Sequence, residues 1–131
     1  MICEERLQLL KDYLKVKDIP ILVEDLPASV FPDAVVLDAD CDISNFNGHY
    51  EGVDFVPPVW YQELLIKKMP ILVISNINMV SFAQQNHFIE LLKYRKISTF
   101  DLPKNTYLIL TCQNLKEHRI SPDIYSYVAH I

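Results

Sequence analysis

The stretch Ile71 to Val80, ILVISNINMV, sets polar side chains directly behind four apolar residues. At the carboxyl end of a buried strand, two carboxylates could do phosphoryl chemistry, one holding magnesium and the other activating a water. Here the two positions are held by Ser75 and Asn76, which carry no charge. Ser75 offers a neutral oxygen to a hydrated ion, and Asn76 can orient a water but cannot accept its proton at neutral pH. A Ser-Asn pair after a strand also has an ordinary use, satisfying the backbone groups of a turn.

A second set of carboxylates lies in DADCDISNFNGH, where Asp38, Asp40 and Asp42 alternate as in a calcium loop. The pattern breaks at the required glycine, where Ile43 stands, and at the terminal glutamate, where His49 stands. If Asp38 ends a strand, the three carboxylates would sit at the carboxyl edge of a sheet, where α/β proteins bind ligands. That keeps a metal-dependent enzyme as an alternative, against a solvated acidic loop. His49, His87, His118 and His130 have neither HxH nor HExxH spacing, and Cys3, Cys41 and Cys112 contain no CxxC pair. Three widely spaced cysteines suit free thiols in a reducing compartment.

The elements that must position these residues follow from the hydrophobic pattern. The 131 residues are half hydrophobic and 22% charged, which is globular composition. A net charge of −5 gives no electrostatic case for nucleic acid or an anionic membrane. No apolar run approaches the roughly 18 residues of a membrane helix. MICEERLQLL has acids where a signal peptide needs a basic then apolar block, so a cytoplasmic location is expected. Only Gly48 and Gly52 are glycine. A loop that cradles phosphates with backbone N–H groups needs several, and this chain has none to spare for one.

An amphipathic helix is expected over residues 2–16. Strands are expected at Ile21 to Val23, Ala34 to Leu37, Ile71 to Ile74 and within TYLILTC, each apolar and continuous as in a parallel sheet covered on both faces. Residues 41–58 read as one long irregular loop, Pro58 opens a helix, and Ser81 caps the helix FAQQNHFIELLKY. KISTFDLP reads as a short hairpin, and Ser121-Pro122 starts a last helix through about Tyr127. About four strands alternating with helices make an α/β fold, a three-layer sandwich with a mainly parallel sheet, in a single domain over residues 1–131.

The second half resembles the AAA+ ATPase core, in the MoxR-like and dynein-related branch. The likeness covers about residues 46–131. Ile77 and Asn78 match an Asp-Glu-Ile-Asn strand end in which Ser75 and Asn76 replace the carboxylates. Gln85, Asn86, Leu91, Leu92 and Arg95 fall at the family's places in the next helix, Leu102-Pro103 matches its Leu-Pro element, and LILTCQN puts Asn114 at the sensor position. Tyr127 stands where the family places an arginine. Between IPILV and DAVVLD, where the phosphate loop belongs, there is only EDLPASVFP, and no Gly-Lys-Ser/Thr occurs anywhere.

The resemblance implies a pared-down P-loop NTPase or AAA+-like core without the helical lid, lacking ATP hydrolysis and any cofactor. Its expected role is a non-catalytic assembly or interaction module whose partner is a second copy or an intact ATPase, with no part for nucleic acid or membrane. Asn76 and Asn114 are the positional equivalents of nucleotide contacts, which leaves non-hydrolysing nucleotide binding as another alternative. In FVPPVWYQ, Phe55, Trp60 and Tyr61 are either partner anchors or the buried face of the helix that follows.

Overall fold

The computed structural model of the protein describes residues 3–15 and 19–131, with the side chains of Ile43 and Ser44 excepted. The chain runs α1 (Glu4–Tyr13), β1 (Ile21–Glu24), β2 (Val35–Asp38), α2 (Ile43–Asn47), β3 (His49–Glu51), β4 (Asp54–Val56) and α3 (Val59–Leu65). It continues through β5 (Ile71–Ser75), α4 (Phe82–Asn86), α5 (Ile89–Tyr94), β6 (Lys96–Ile97), β7 (Phe100–Asp101), β8 (Tyr107–Cys112), α6 (Pro122–Tyr125) and β9 (Ala129–His130).

Five strands form one sheet in the order β2-β5-β8-β1-β9, and every pairing within it is parallel. Because successive side chains point to opposite faces, the register sorts the apolar runs into two rows. Leu37, Ile74, Leu110 and Leu22 lie side by side and face one core, which α3, α5 and α6 cover with Trp60, Tyr61, Leu64, Leu91, Leu92 and Ile124. Val36, Val73, Ile109 and Ile21 form the opposite row, and α1 packs there through the fully buried Leu10. Each large apolar side chain buried this way contributes about 1.5–3 kcal/mol. The sheet therefore has helices on both faces, as the alternating pattern required, but the second face carries little cover toward β2.

Several expectations change. The strand expected at 34–37 is β2, an edge strand whose residues alternate buried and exposed, with Val36 60% exposed. It is covered on one face only. Residues 41–58 are not one irregular loop, since they hold α2 and the β3–β4 hairpin. That hairpin closes through Gly52 and Val53, with Gly52 at φ +65 as a tight turn requires. Gly48 at its base has φ +80, and an added Cβ would meet the Val56 carbonyl oxygen at 2.5 Å.

The helix expected over residues 82–94 is two helices. Ser81 Oγ accepts from the Gln84 N–H at 3.2 Å and caps α4, and the chain tightens at His87 and Phe88 before α5 begins. The break turns the fully buried Phe88 inward against Phe46. The hairpin expected in KISTFDLP is β6–β7. The last helix stops at Tyr125, and the residues after it form β9, a fifth strand that the count of four missed. Residues 2 and 16 of the first expected helix lie outside the described residues.

Candidate functional site at the carboxyl edge

The carboxyl ends of β5, β8 and β1 bring together the polar residues that the sequence singles out. β5 ends at Ser75, and Asn76 turns the chain out of the sheet in the left-handed region at φ 59, which asparagine tolerates better than most residues. The Asn76 N–H donates to Thr111 Oγ1 on β8 at 3.1 Å, and its Oδ1 accepts from Gln113 Nε2 at 3.5 Å. Asn76 is thus engaged with the neighbouring strand exit.

Two residues on, Asn78 is 3% exposed and fully engaged. Its Nδ2 donates to the carbonyls of Gln113 and His118, and its Oδ1 accepts from the Gln113 N–H at 3.3 Å. Gln85 on α4 is completely buried and does the same for the next stretch of chain. Its Nε2 donates to the Val80 and Arg119 carbonyls at 3.0 and 3.1 Å, while Oε1 accepts from the Ser121 N–H at 2.6 Å. Ser121 Oγ in turn donates to Asn86 Oδ1 at 2.7 Å. Gln84 reaches across to the Ala39 and Cys41 carbonyls beyond β2, both at 3.1 Å. These carboxamides fasten residues 113–121 and 39–41 to the turn after β5 and to α4. Paired backbone groups are what a buried polar position needs, and an amide supplies donor and acceptor together.

Asn114 lies elsewhere. It is exposed, in the left-handed region at φ 54, and its carbonyl accepts from the Glu117 and His118 N–H groups to start a turn. Its side chain borders a crevice of about 440 Å³ between the exits of β1 and β8, shared with Glu24, Asp25, Gln113, Lys116 and Glu117. Asn76 is not among the residues lining it. Gln113, which also lines it, is the residue whose Nε2 reaches Asn76. The crevice carries three carboxylates against one lysine, which opposes a polyanionic ligand.

The exit of β1 leads into a connection without glycine. The connection from β1 to β2 spans residues 25–34 and holds a single short helical turn, Ala28–Val30. Glu24 is held at the edge by His130, whose Nε2 lies 3.2 Å from its carboxylate. Arg6 of α1 donates to the Glu24 and Ile131 carbonyls at 2.8 and 3.1 Å. The sequence reading missed Arg6, since a lone arginine on an amphipathic helix gives no signal of what it reaches. Cys112, buried beneath this edge, has its thiol pushed up to about 12, first by burial and then by the carboxylates of Glu24 and Asp25, with Arg6 opposing.

Asp38 does end β2, but it faces its own chain: its Oδ1 accepts from the Asp40 N–H at 2.9 Å in a turn. Asp38, Asp40 and Asp42 are all exposed, and among the described residues no three His, Cys, Asp or Glu side chains come together as metal ligands. Cys41 between them is raised by burial and then by these three carboxylates.

Of the three aromatic residues expected as partner anchors or helix face, two are internal. Trp60 and Tyr61 are each 5% exposed. Trp60 Nε1 donates to the Phe46 carbonyl at 2.9 Å, and Tyr61 OH donates to the Asp101 carbonyl at 2.7 Å. Both are packed into the chain's own core as the inner face of α3. Phe55 is half-buried and stacks on Phe100 at 5.5 Å. Among the described residues no helix is long and apolar enough to cross a membrane. The chain matches no protein-family model, and it matches no curated protein.

Proposed function

We propose that the chain is a non-catalytic module on an AAA+-like scaffold, one that contributes protein contact or assembly and does not hydrolyse ATP. The observation that carries this is the exit of β1. Its ten-residue connection contains no glycine and no lysine, and two carboxylates, Glu24 at the end of β1 and Asp25 directly after it, stand where a nucleotide would need N–H donors and positive charge.

Further support comes from which of the resembling residues remain. Asn78, Gln85 and Asn86 are retained and spend their amides on backbone and Ser121, so they hold the strand exits together. Ser75 and Asn76, at the positions that would bind magnesium and activate water, have no charge to do either. A scaffold kept while its chemical groups are lost is suited to contact. The partner is a second copy of the chain or an intact ATPase of the same architecture, in a cytoplasmic setting.

The test is a titration of the purified chain with ATP and magnesium, followed by heat and by phosphate release. Neither binding heat nor release above a protein-free blank is expected. Turnover that disappears in Asn76→Ala would end the proposal. The alternatives, a metal site at Asp38, Asp40 and Asp42 or bound nucleotide between Asn76 and Asn114, have less support: the three carboxylates are exposed, with Asp38 bonded to the Asp40 N–H, and Asn76 does not line the crevice that Asn114 borders.

A further inference from the structure

The β3–β4 hairpin ends in an apolar point with charge on both sides. Val53 is 94% exposed, the most exposed large apolar side chain of the described residues, and it stands between the exposed carboxylates of Glu51 and Asp54. A valine held out on a two-residue turn has no part in this chain's own core. Glu51 keeps one local partner, His49 at 3.3 Å, both of them solvent-exposed.

At the opposite, amino-terminal edge of the sheet lies a groove of about 390 Å³, within the range of ligand-sized clefts. Its apolar lining includes Phe31, Pro32, Ala34, Met69 and Ile71, of which Ile71 is buried and Met69 is 59% exposed. Lys67 and Lys68, both exposed, also line it, with Asp33 as the one acidic group among the lining residues. This is the side of the sheet where cover thins toward β2.

We propose that the occupant of this groove is the hairpin tip of a second copy of this chain, with Val53 on the apolar lining and Glu51 and Asp54 facing Lys67 and Lys68. The complementarity is in both chemistry and sign: an apolar point flanked by two negative charges meets an apolar lining that includes two positive ones. The tip and groove of one chain cannot meet each other directly. The hairpin joins α3 at its amino end and the groove lies beyond its carboxyl end, with the helix between them. Tip and groove are different surfaces, so the contact is head-to-tail and each copy keeps one free end for the next. The contact is small, and it assembles at high protein concentration.

This inference rests on the assembly reading above and names the surface that reading lacks. The experiment is sedimentation equilibrium of the wild-type chain up to about 1 mM, a concentration that populates even a millimolar contact. Alongside it run Val53→Glu, Met69→Glu and two charge-reversed variants, Glu51→Lys/Asp54→Lys and Lys67→Glu/Lys68→Glu, each checked for fold by circular dichroism. The wild-type mass should climb with concentration above 15.2 kDa, and all four variants should remain near that value. Mixed one to one, the two charge-reversed variants should associate again and grow with concentration as the wild type does, because the reversed tip of the first meets the reversed groove of the second and the unaltered tip of the second meets the unaltered groove of the first.

A wild-type chain that stays monomeric at every concentration would overturn the proposal. So would association that Val53→Glu leaves unchanged, although that result leaves the assembly reading standing on another surface. ATP turnover would end the non-catalytic reading and leave these masses as they are.

Discussion

Replacing Gln85 by leucine keeps the shape of a fully buried side chain and removes its carboxamide. The Ser121 N–H, bonded to Oε1 at 2.6 Å in an almost completely buried residue, would have no acceptor, and the Val80 and Arg119 carbonyls would each lose a donor. An orphaned buried donor costs about 1–3 kcal/mol, and each carbonyl that water can partly reach costs about 0.5–1 kcal/mol. The sum is about 3 kcal/mol. With a urea m-value of about 2 kcal/mol/M for a chain of this size, the unfolding midpoint should fall by about 1.5 M. Gln85→Glu should be at least as damaging, because it turns a carboxylate toward two carbonyls in a buried place. The assay is urea denaturation followed by tryptophan fluorescence, with amide exchange at Ser121 as the local probe. A Gln85→Leu midpoint within about 0.3 M of wild type, or an unchanged Ser121 exchange rate, would refute the idea that this amide fastens the segment to α4.

Gly48→Ala should lower stability by about 2 kcal/mol or more, read by thermal melting, because the site needs positive φ and the new Cβ meets the Val56 carbonyl oxygen at 2.5 Å. Gly52→Ala, with nothing within 4 Å, should cost only the backbone term of about 1 kcal/mol. Trp60→Ala should cost about 3–5 kcal/mol as a core truncation and leave self-association as it was whenever the fold survives. Cys112 has its thiol raised from 9.0 to about 12, so the folded state favours the neutral form. Stability from this group is fully present below about pH 9 and is lost as pH rises from there toward 12, and Cys112→Ala should flatten the fall of melting temperature across that window.

The strands were legible because Ile71 to Ile74 and Tyr107 to Cys112 are continuous apolar runs, as a buried parallel strand must be. β9 was not legible, since Ala129 and His130 become a strand only through bonds made by distant residues: the Ala129 N–H to the Pro20 carbonyl and the Ile131 N–H to the Leu22 carbonyl. Position within the sheet was equally invisible, and Val36 reads like Val73 in sequence although one is exposed and the other buried. The pattern at Phe82 to Tyr94 continues at helical spacing, so nothing local marks the turn of Phe88 into the core. In the candidate site the uncharged Ser75 and Asn76 could be read directly. The work of Asn78, Gln84 and Gln85 could not, because a carboxamide in a helix or turn looks the same whether it faces water or a remote carbonyl. Trp60 and Tyr61 carried both readings in sequence, and only packing against Phe46 and Phe100 decides that their rings are internal.

The most direct measurement on the central claim is nucleotide binding by the intact chain, by titration calorimetry with ATP and magnesium to millimolar concentration and phosphate release from the same sample. The glycine-free exit of β1 and its carboxylates Glu24 and Asp25 lead us to expect no saturable heat and no phosphate above the blank. Saturable binding accompanied by phosphate release that Asn76→Ala abolishes would contradict it.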